Sequence, residues 1–235
     1  MPVEIGLLVF PVVQQIDLAG PYEIFASWPE ARVRLVGRDR APVVSATGLR
    51  LIPDETFDSC PRLDVLCIPG GDGVDLLLDD EITLGFIRRQ AATARFVTSV
   101  CTGALVLGAA GLLRGKRATT HWASQDLLAA FGAIPTAGRV VRDGALMTGG
   151  GATAGIDFAL ALVAELAGPA AAQAIQLELE YAPAPPFDAG SPDTAPAEIV
   201  AALRRRGARA RADREARVAA AAQALEGRGE AFGMA

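Results

Sequence analysis

Short, dense apolar runs recur along the chain, each bounded by Gly, Pro or charged residues, with stretches of helical spacing between them. A run of this length with such boundaries reads as a buried strand. Residues 4–10, closed by Pro11, are one; residues 33–37 and 64–68 are two more. Residues 43–53 alternate about Thr47-Gly48 and predict a hairpin, and residues 139–148 predict a second that turns on Asp143-Gly144. Helices are expected at 22–26 and 79–94. Residues 96–100 form a further strand that runs into Cys101, and a helix opens at Gly103-Ala104. Beyond it, residues 117–122 return to an extended form, and Ser124 is expected to cap a helix through Ala130. Thr153 starts a nearly all-apolar helix that stops at Gly168-Pro169. Strands alternating with helices predict an α/β sandwich about a mainly parallel sheet.

Composition narrows this picture. With 235 residues the chain can bury one sizeable core. Hydrophobic residues make up 51%, but they are dispersed, and no uninterrupted stretch has membrane-spanning length. The N-terminus has no basic region and meets Glu4 at once, so a cytoplasmic protein without signal peptide or membrane attachment is expected. A net charge of −5 gives no general affinity for nucleic acid. Three cysteines, Cys60, Cys67 and Cys101, imply no disulfide framework, and one histidine without a CxxC pair argues against a metal site. Residues 182–192 are proline-rich and expected to be extended. Residues 193–235 read as an Ala/Arg-rich helical extension of a domain spanning 1–192. Its arginines, Arg204 to Arg217, are interspersed with Asp213 and Glu215 and read as a solvated face rather than a nucleic-acid patch.

Candidate chemistry centres on Cys101. A strand that turns sharply into a helix lifts the turn residue out of the sheet, the geometry of a nucleophile elbow, and a helix N-terminus favours a thiolate. The competing reading is a small buried core residue. In a parallel sheet the site lies beyond the carboxyl ends of the strands. Asp17, Gly70-Gly71 and Cys101 each follow a predicted strand there. Taken alone, Asp17 reads as an N-cap for the helix that follows it, Thr102 as a cap of the elbow helix and Gly70-Gly71 as an ordinary turn. Cys60 and Cys67 read as structural. His121 is the only imidazole, so any Cys-His-acid triad requires it; with Trp122 it reads more simply as a pocket wall.

Ile68-Pro69-Gly70-Gly71, Ser99-Val100-Cys101-Thr102-Gly103-Ala104 and Ala118-Thr119-Thr120-His121-Trp122 together resemble the PfpI/ThiJ superfamily. The resemblance covers residues 3–190 and implies a flavodoxin-like, three-layer αβα sandwich like that of class I glutamine amidotransferases. The stretch Val12 to Pro21, Cys101-Thr102-Gly103, and Tyr181 to Pro192 are similar to members that hydrate isonitriles to N-substituted formamides. That resemblance implies Cys101 as nucleophile and Asp17 as general acid and base, with Thr102 holding Asp17 by a hydrogen bond. It implies backbone donors at Gly71 or Asp72 and at Thr102 or Gly103, and a pocket lined by His121 and Trp122. It also implies an isonitrile as small-molecule substrate, no cofactor, and a homodimer to which residues 182–192 or the C-terminal helix contribute. Three alternatives stay open: a glyoxalase-like, deglycase-like or hydrolytic thiol enzyme, the sensing half of an AraC-type regulator, and a redox-sensing thiol protein. The first usually carries Glu at the acid position or His after the cysteine, where this chain has Asp17 and Thr102. The second is expected to show helix-turn-helix signatures, which the tail lacks.

Overall fold

A computed structural model describes residues 2–232, with side chains through residue 227. The chain begins with β1 (Val3–Leu8), α1 (Gln15–Ala26) and β2 (Ala31–Gly37). A small hairpin, β3 (Val43–Val44) and β4 (Arg50–Leu51), precedes β5 (Glu55–Thr56) and β6 (Val65–Ile68). Then come α2 (Val74–Leu77), α3 (Glu81–Ala91), β7 (Phe96–Val100), α4 (Gly103–Ala109) and β8 (Arg117–Ala118). A 3-10 helical stretch, Trp122–Phe131, leads to β9 (Ile134–Pro135), the hairpin β10 (Val140–Asp143) and β11 (Leu146–Gly149), and the helices α5 (Ala154–Ala167), α6 (Pro169–Glu178) and α7 (Ala197–Phe232). Seven strands form one sheet in the order β10-β11-β7-β6-β1-β2-β5, parallel except where β10 meets β11. Helices cover both faces.

Strand alternation explains the layering. In β6, Val65 and Cys67 face a core shared with Phe25 of α1 and Phe158 of α5. Leu66 and Ile68 face the opposite core, shared with Phe86 of α3, Leu105 of α4 and Val218 of α7. All four β6 residues are buried, as a strand covered on both faces requires. The neighbours β1, β6 and β7 bring the segments carrying Asp17, Gly70-Gly71 and Cys101 to one end of the sheet.

Three local expectations need correction. The first helix starts at Gln15, so Asp17 lies within its first turn and Gln14 holds the cap position. Gly20 and Pro21 obscured this, yet Asp17, Leu18, Pro21, Ile24 and Phe25 form one buried face at helical spacing. Ser124 does not cap the helix that follows; the His121 ring does, accepting the Ala123 N–H at 3.3 Å. The arginines of α7 are not one solvated face. Gly207, Arg211, Arg214, Val218, Ala221 and Leu225, spaced alternately by four and three, form a buried or half-buried stripe against the body. Arg204, Arg205, Arg206, Arg209 and Arg217 remain exposed.

Cys67 is fully buried and its thiol is pushed up to about 12 by burial, so it is a packing group. Cys67→Ala is expected to lower unfolding stability by about 1 kcal/mol through a small cavity. Urea denaturation checks this, and an unchanged midpoint would show that the site collapses around the alanine.

Candidate functional site

Cys101 stands at the junction of β7 and α4 with φ of 54°, a left-handed conformation unusual for a residue with a side chain. Two hydrogen bonds hold it there: its N–H donates to the Gly149 carbonyl at 3.1 Å, and its carbonyl accepts the Thr120 hydroxyl at 2.6 Å. The side chain lies close to the Asp17 carboxyl, and the residue as a whole is only 8% exposed. Asp17 is wholly buried. Its Oδ2 accepts the Gly70 N–H at 3.0 Å, while Oδ1 has no hydrogen-bond partner among the described residues. The thiol interacts with the carboxyl without the geometry of a full hydrogen bond.

The loop after β6 closes this pair from above. A Cβ at Gly70 would stand 2.6 Å from the Thr102 nitrogen, 2.7 Å from its hydroxyl and 2.8 Å from Asp17 Oδ2. Any side chain there would displace the pair. Gly71 adopts φ of 124°, and its N–H donates to Thr102 Oγ1 at 3.0 Å while Thr102 Oγ1 donates to the Gly71 carbonyl at 3.3 Å. The loop is also tied to the segment before α1. Gln14 N–H donates to the Gly70 carbonyl at 2.9 Å, and Gly73 N–H to the Val12 carbonyl at 3.3 Å. Val12 itself has φ of 61°, and its N–H donates to Val44 of β3 at 2.9 Å.

These bonds revise two expectations. Thr102 Oγ1 engages Gly71 rather than Asp17, so it acts on the carboxyl only through the loop. The Gly71 N–H is already taken by Thr102, and both the N–H and the hydroxyl of Thr102 lie beside the Cys101 sulfur. Gly103 opens α4 against the end of β6, and the Asp72 carboxylate turns outward to Arg214. His121 uses Nδ1 as the acceptor of its cap, and no hydrogen bond joins it to Cys101 or Asp17 among the described residues. Burial, and secondarily Arg214, hold its imidazole below the usual range. Trp122 lies 5.4 Å from the imidazole, ring centre to ring centre, with the Arg204 guanidinium 5.9 Å over its face. Among the described residues no group of three or more His, Cys, Asp or Glu side chains is arranged to hold a metal, and no helix is long and apolar enough to cross a membrane.

The profile of the DJ-1/PfpI family matches residues 3–165. The chain belongs to the DJ-1/PfpI family. It is 65% identical over 208 residues to an isonitrile hydratase of Pseudomonas putida, covering 88% of this chain and 91% of that one. It superimposes with a TM-score of 0.90 on a ThiJ/PfpI family protein of Pseudomonas syringae, at 46% identity, covering 93% of this chain and 91% of that one. It is also 30% identical over 172 residues to the HTH-type transcriptional regulator GbdR of Pseudomonas aeruginosa, spanning 69% of this chain but only 46% of the regulator.

In this DJ-1/PfpI site the electrostatics run against a resting thiolate. Burial, then the Asp17 charge, hold the Cys101 thiol above its ordinary value, and the Thr102 N–H offsets this only in part. The helix N-terminus expected to favour thiolate is outweighed by the lost hydration. Burial also raises Asp17 to about 6, against the lowering by Cys101 and by the Gly70 N–H. The resting pair at neutral pH is therefore a thiol beside a carboxylate that exchanges protons near neutrality. Sequence reasoning missed Thr120, which fixes the elbow carbonyl, and Arg214, which reaches the loop from a distant helix. The stripe spacing of α7 was the one available signal for the second.

A carboxyl raised in the folded state binds more protons there than in the unfolded chain between its two pKa values. Its contribution is complete below the unfolded value of 3.8 and is lost as pH rises through about 6. The loss is on the order of 3 kcal/mol for a shift of about two units. Asp17→Asn is free of this penalty. Denaturation is expected to show the variant at least as stable as the wild type above pH 6.5, the advantage shrinking towards pH 4; a wild type clearly more stable at neutral pH would contradict the assignment.

Proposed function

We propose that this chain is an isonitrile hydratase, converting R–N≡C and water to the N-substituted formamide R–NH–CHO. The observation that carries the reading is the buried pair itself: a thiol at a left-handed elbow beside a carboxyl whose Oδ1 has no hydrogen-bond partner among the described residues. The 65% identity to the Pseudomonas putida enzyme supports it. The terminal isonitrile carbon has to gain both a nucleophile and a proton. A neutral thiol next to a carboxylate supplies both. Cys101 sulfur adds to the carbon while Asp17 takes the thiol proton and delivers it to the same carbon, giving the thioimidate R–N=CH–S–Cys. Water then adds to that carbon, with Asp17 taking a proton from it and passing one to nitrogen. The C–S bond of the tetrahedral species breaks, the hydroxyl proton leaves by way of Asp17 to sulfur, and formamide and thiol are released. A carboxyl near 6 suits both roles because its two forms are close in free energy at neutral pH. The Thr102 N–H supports charge on the tetrahedral oxygen, and Thr102 Oγ1 holds the loop from which Gly70 orients Asp17. Gly71, Asp72, Gly103, His121 and Trp122 shape the walls.

The test is incubation of purified protein with cyclohexyl isocyanide and chromatographic detection of N-cyclohexylformamide. Turnover is expected in the wild type and a loss of at least about a hundredfold in Cys101→Ala with unchanged circular dichroism. No formamide above the buffer control would overturn the reading.

We further propose that the active form is a homodimer. Val12, Ile16, Val44 and Leu49, exposed between 38% and 51%, sit on the loop, helix and hairpin that border the Gly70-Gly71 segment. Phe187, within residues 182–192, is 78% exposed and offers a second apolar contact. Exposed apolar groups on adjoining segments are the kind of surface that association covers. The inner stripe of α7 is covered by the chain's own body, so that helix has only its outer face to offer. Light scattering at micromolar concentration is expected to give twice the 24.3 kDa chain mass; a monomeric mass would refute it.

A further inference from the structure

We propose that Arg214 of α7 is a positioning residue for the reaction, holding the segment 70–75 against Thr102 and Asp17 from outside the pocket. The inference rests on the hydratase reading for its chemistry, but its geometry stands independently. Arg214 Nε donates to Asp75 Oδ1 at 2.6 Å, and Nη2 to Asp75 Oδ2 and Asp72 Oδ1 at 3.3 Å each. Its side chain is 12% exposed and that of Asp75 20%, so this forked ion pair is largely shielded from water. Arg217 adds a bond to the Asp75 carbonyl at 3.4 Å. Behind the arginine, Val218 and Ala221 are buried in the core that contains α4, which fixes where the guanidinium can reach.

The clamp grips Asp75 in α2 and reaches Asp72, one residue from Gly71, by a single 3.3 Å bond to a carboxyl whose side chain is 82% exposed. Asp72 follows Gly71, whose N–H and carbonyl both meet Thr102 Oγ1, and Gly71 follows the Gly70 whose N–H holds Asp17. Gly70, Gly71 and Gly73 are all glycine, so this segment has little conformational preference of its own. External bonds have to select its conformation. A shielded forked pair is a weak source of net stability, because desolvation opposes the attraction, but it is orientationally strict. A second arginine of the same stripe offers an internal control. Arg211 anchors α7 elsewhere, to the Ala123 carbonyl at 3.0 Å and Asp126 at 2.6 Å, and does not touch the glycine loop.

The experiment compares Arg214→Met, Arg214→Lys, Arg211→Met and Asp75→Asn in the full chain. Arg214→Met is expected to lower kcat about tenfold or more with KM changed less than about threefold, since a displaced donor loop is felt in the transition state. Lys is expected to restore part of kcat, and Arg211→Met to stay within about twofold of wild type. Combining Arg214→Met with Asp75→Asn is expected to cost no more than the worse single change. A second readout needs no isonitrile: the rate of Cys101 alkylation by iodoacetamide, above the Cys101→Ala background, is expected to change at least about threefold in Arg214→Met. If the wild type does not hydrate isonitriles, the functional reading fails while this rate still tests the clamp. Turnover and alkylation both within about twofold of wild type, or equal losses in Arg211→Met, would overturn the proposal. Should Arg214→Met fail to fold, Asp75→Asn carries the same comparison from the other side of the pair.

Discussion

The Gly70 N–H meets Asp17 at 3.0 Å in a site that leaves the carboxyl no exposed surface, and among the described residues it is the one backbone donor to that carboxyl. Around this contact the site is arranged. Without the Gly70 donor the carboxyl would be pushed further up by burial; a second donor on Oδ1 would move it back towards its ordinary value. The intermediate case, near 6, is obtained by burial opposed by a single N–H and a neighbouring thiol. Glycine at 70 is part of that constraint, because its Cα lies within a side chain's reach of Asp17 and Thr102 together.

Two of the three described non-glycine residues with positive φ lie beside this contact, the third being Glu180. Val12 and Cys101 both adopt left-handed backbone conformations, which for residues with a Cβ cost on the order of 1–2 kcal/mol each. Such conformations persist where surrounding bonds over-determine them. At Cys101 these come from Gly149 and Thr120; at Val12 they come from Val44 and Gly73. The strands contribute stiffness. Because β1, β6 and β7 are adjacent and parallel, the three loops that carry Asp17, Gly70 and Cys101 start from one rigid edge, and only short connections need be fixed by hydrogen bonds.

The helix α7 shows how a distant part of the chain enters this arrangement. Its inner stripe changes character along its length, from arginines opposite the loops to Val218 and Ala221 over the core. The apolar part docks the helix, and the charged part reads the loops. Membership of the DJ-1/PfpI family rests on residues 3–165, and α7 lies beyond them.

The central strands, the elbow at Cys101 and both hairpins follow from the sequence alone, because apolar runs and turn dipeptides act over a few residues and need no distant partner. The convergence of Asp17, Gly70-Gly71 and Cys101 also followed, from the rule that loops at the carboxyl ends of parallel strands share one edge. Other features had no local signature. Asp17 lies inside a helix whose Gly20 and Pro21 look like breakers, and only burial of the 17, 18, 21, 24, 25 face against the sheet holds that helix together. His121 outcompetes Ser124 as a cap because the incoming chain places its ring nitrogen over Ala123. The thiol at Cys101 is held neutral by its surroundings, although its place at a helix start predicts the reverse. Arg211 and Arg214 are indistinguishable by type from the exposed arginines beside them. Local preference set the elements, while protonation state, cap choice and the reach of Arg214 were decided by tertiary packing, since each depends on desolvation and on partners distant in sequence.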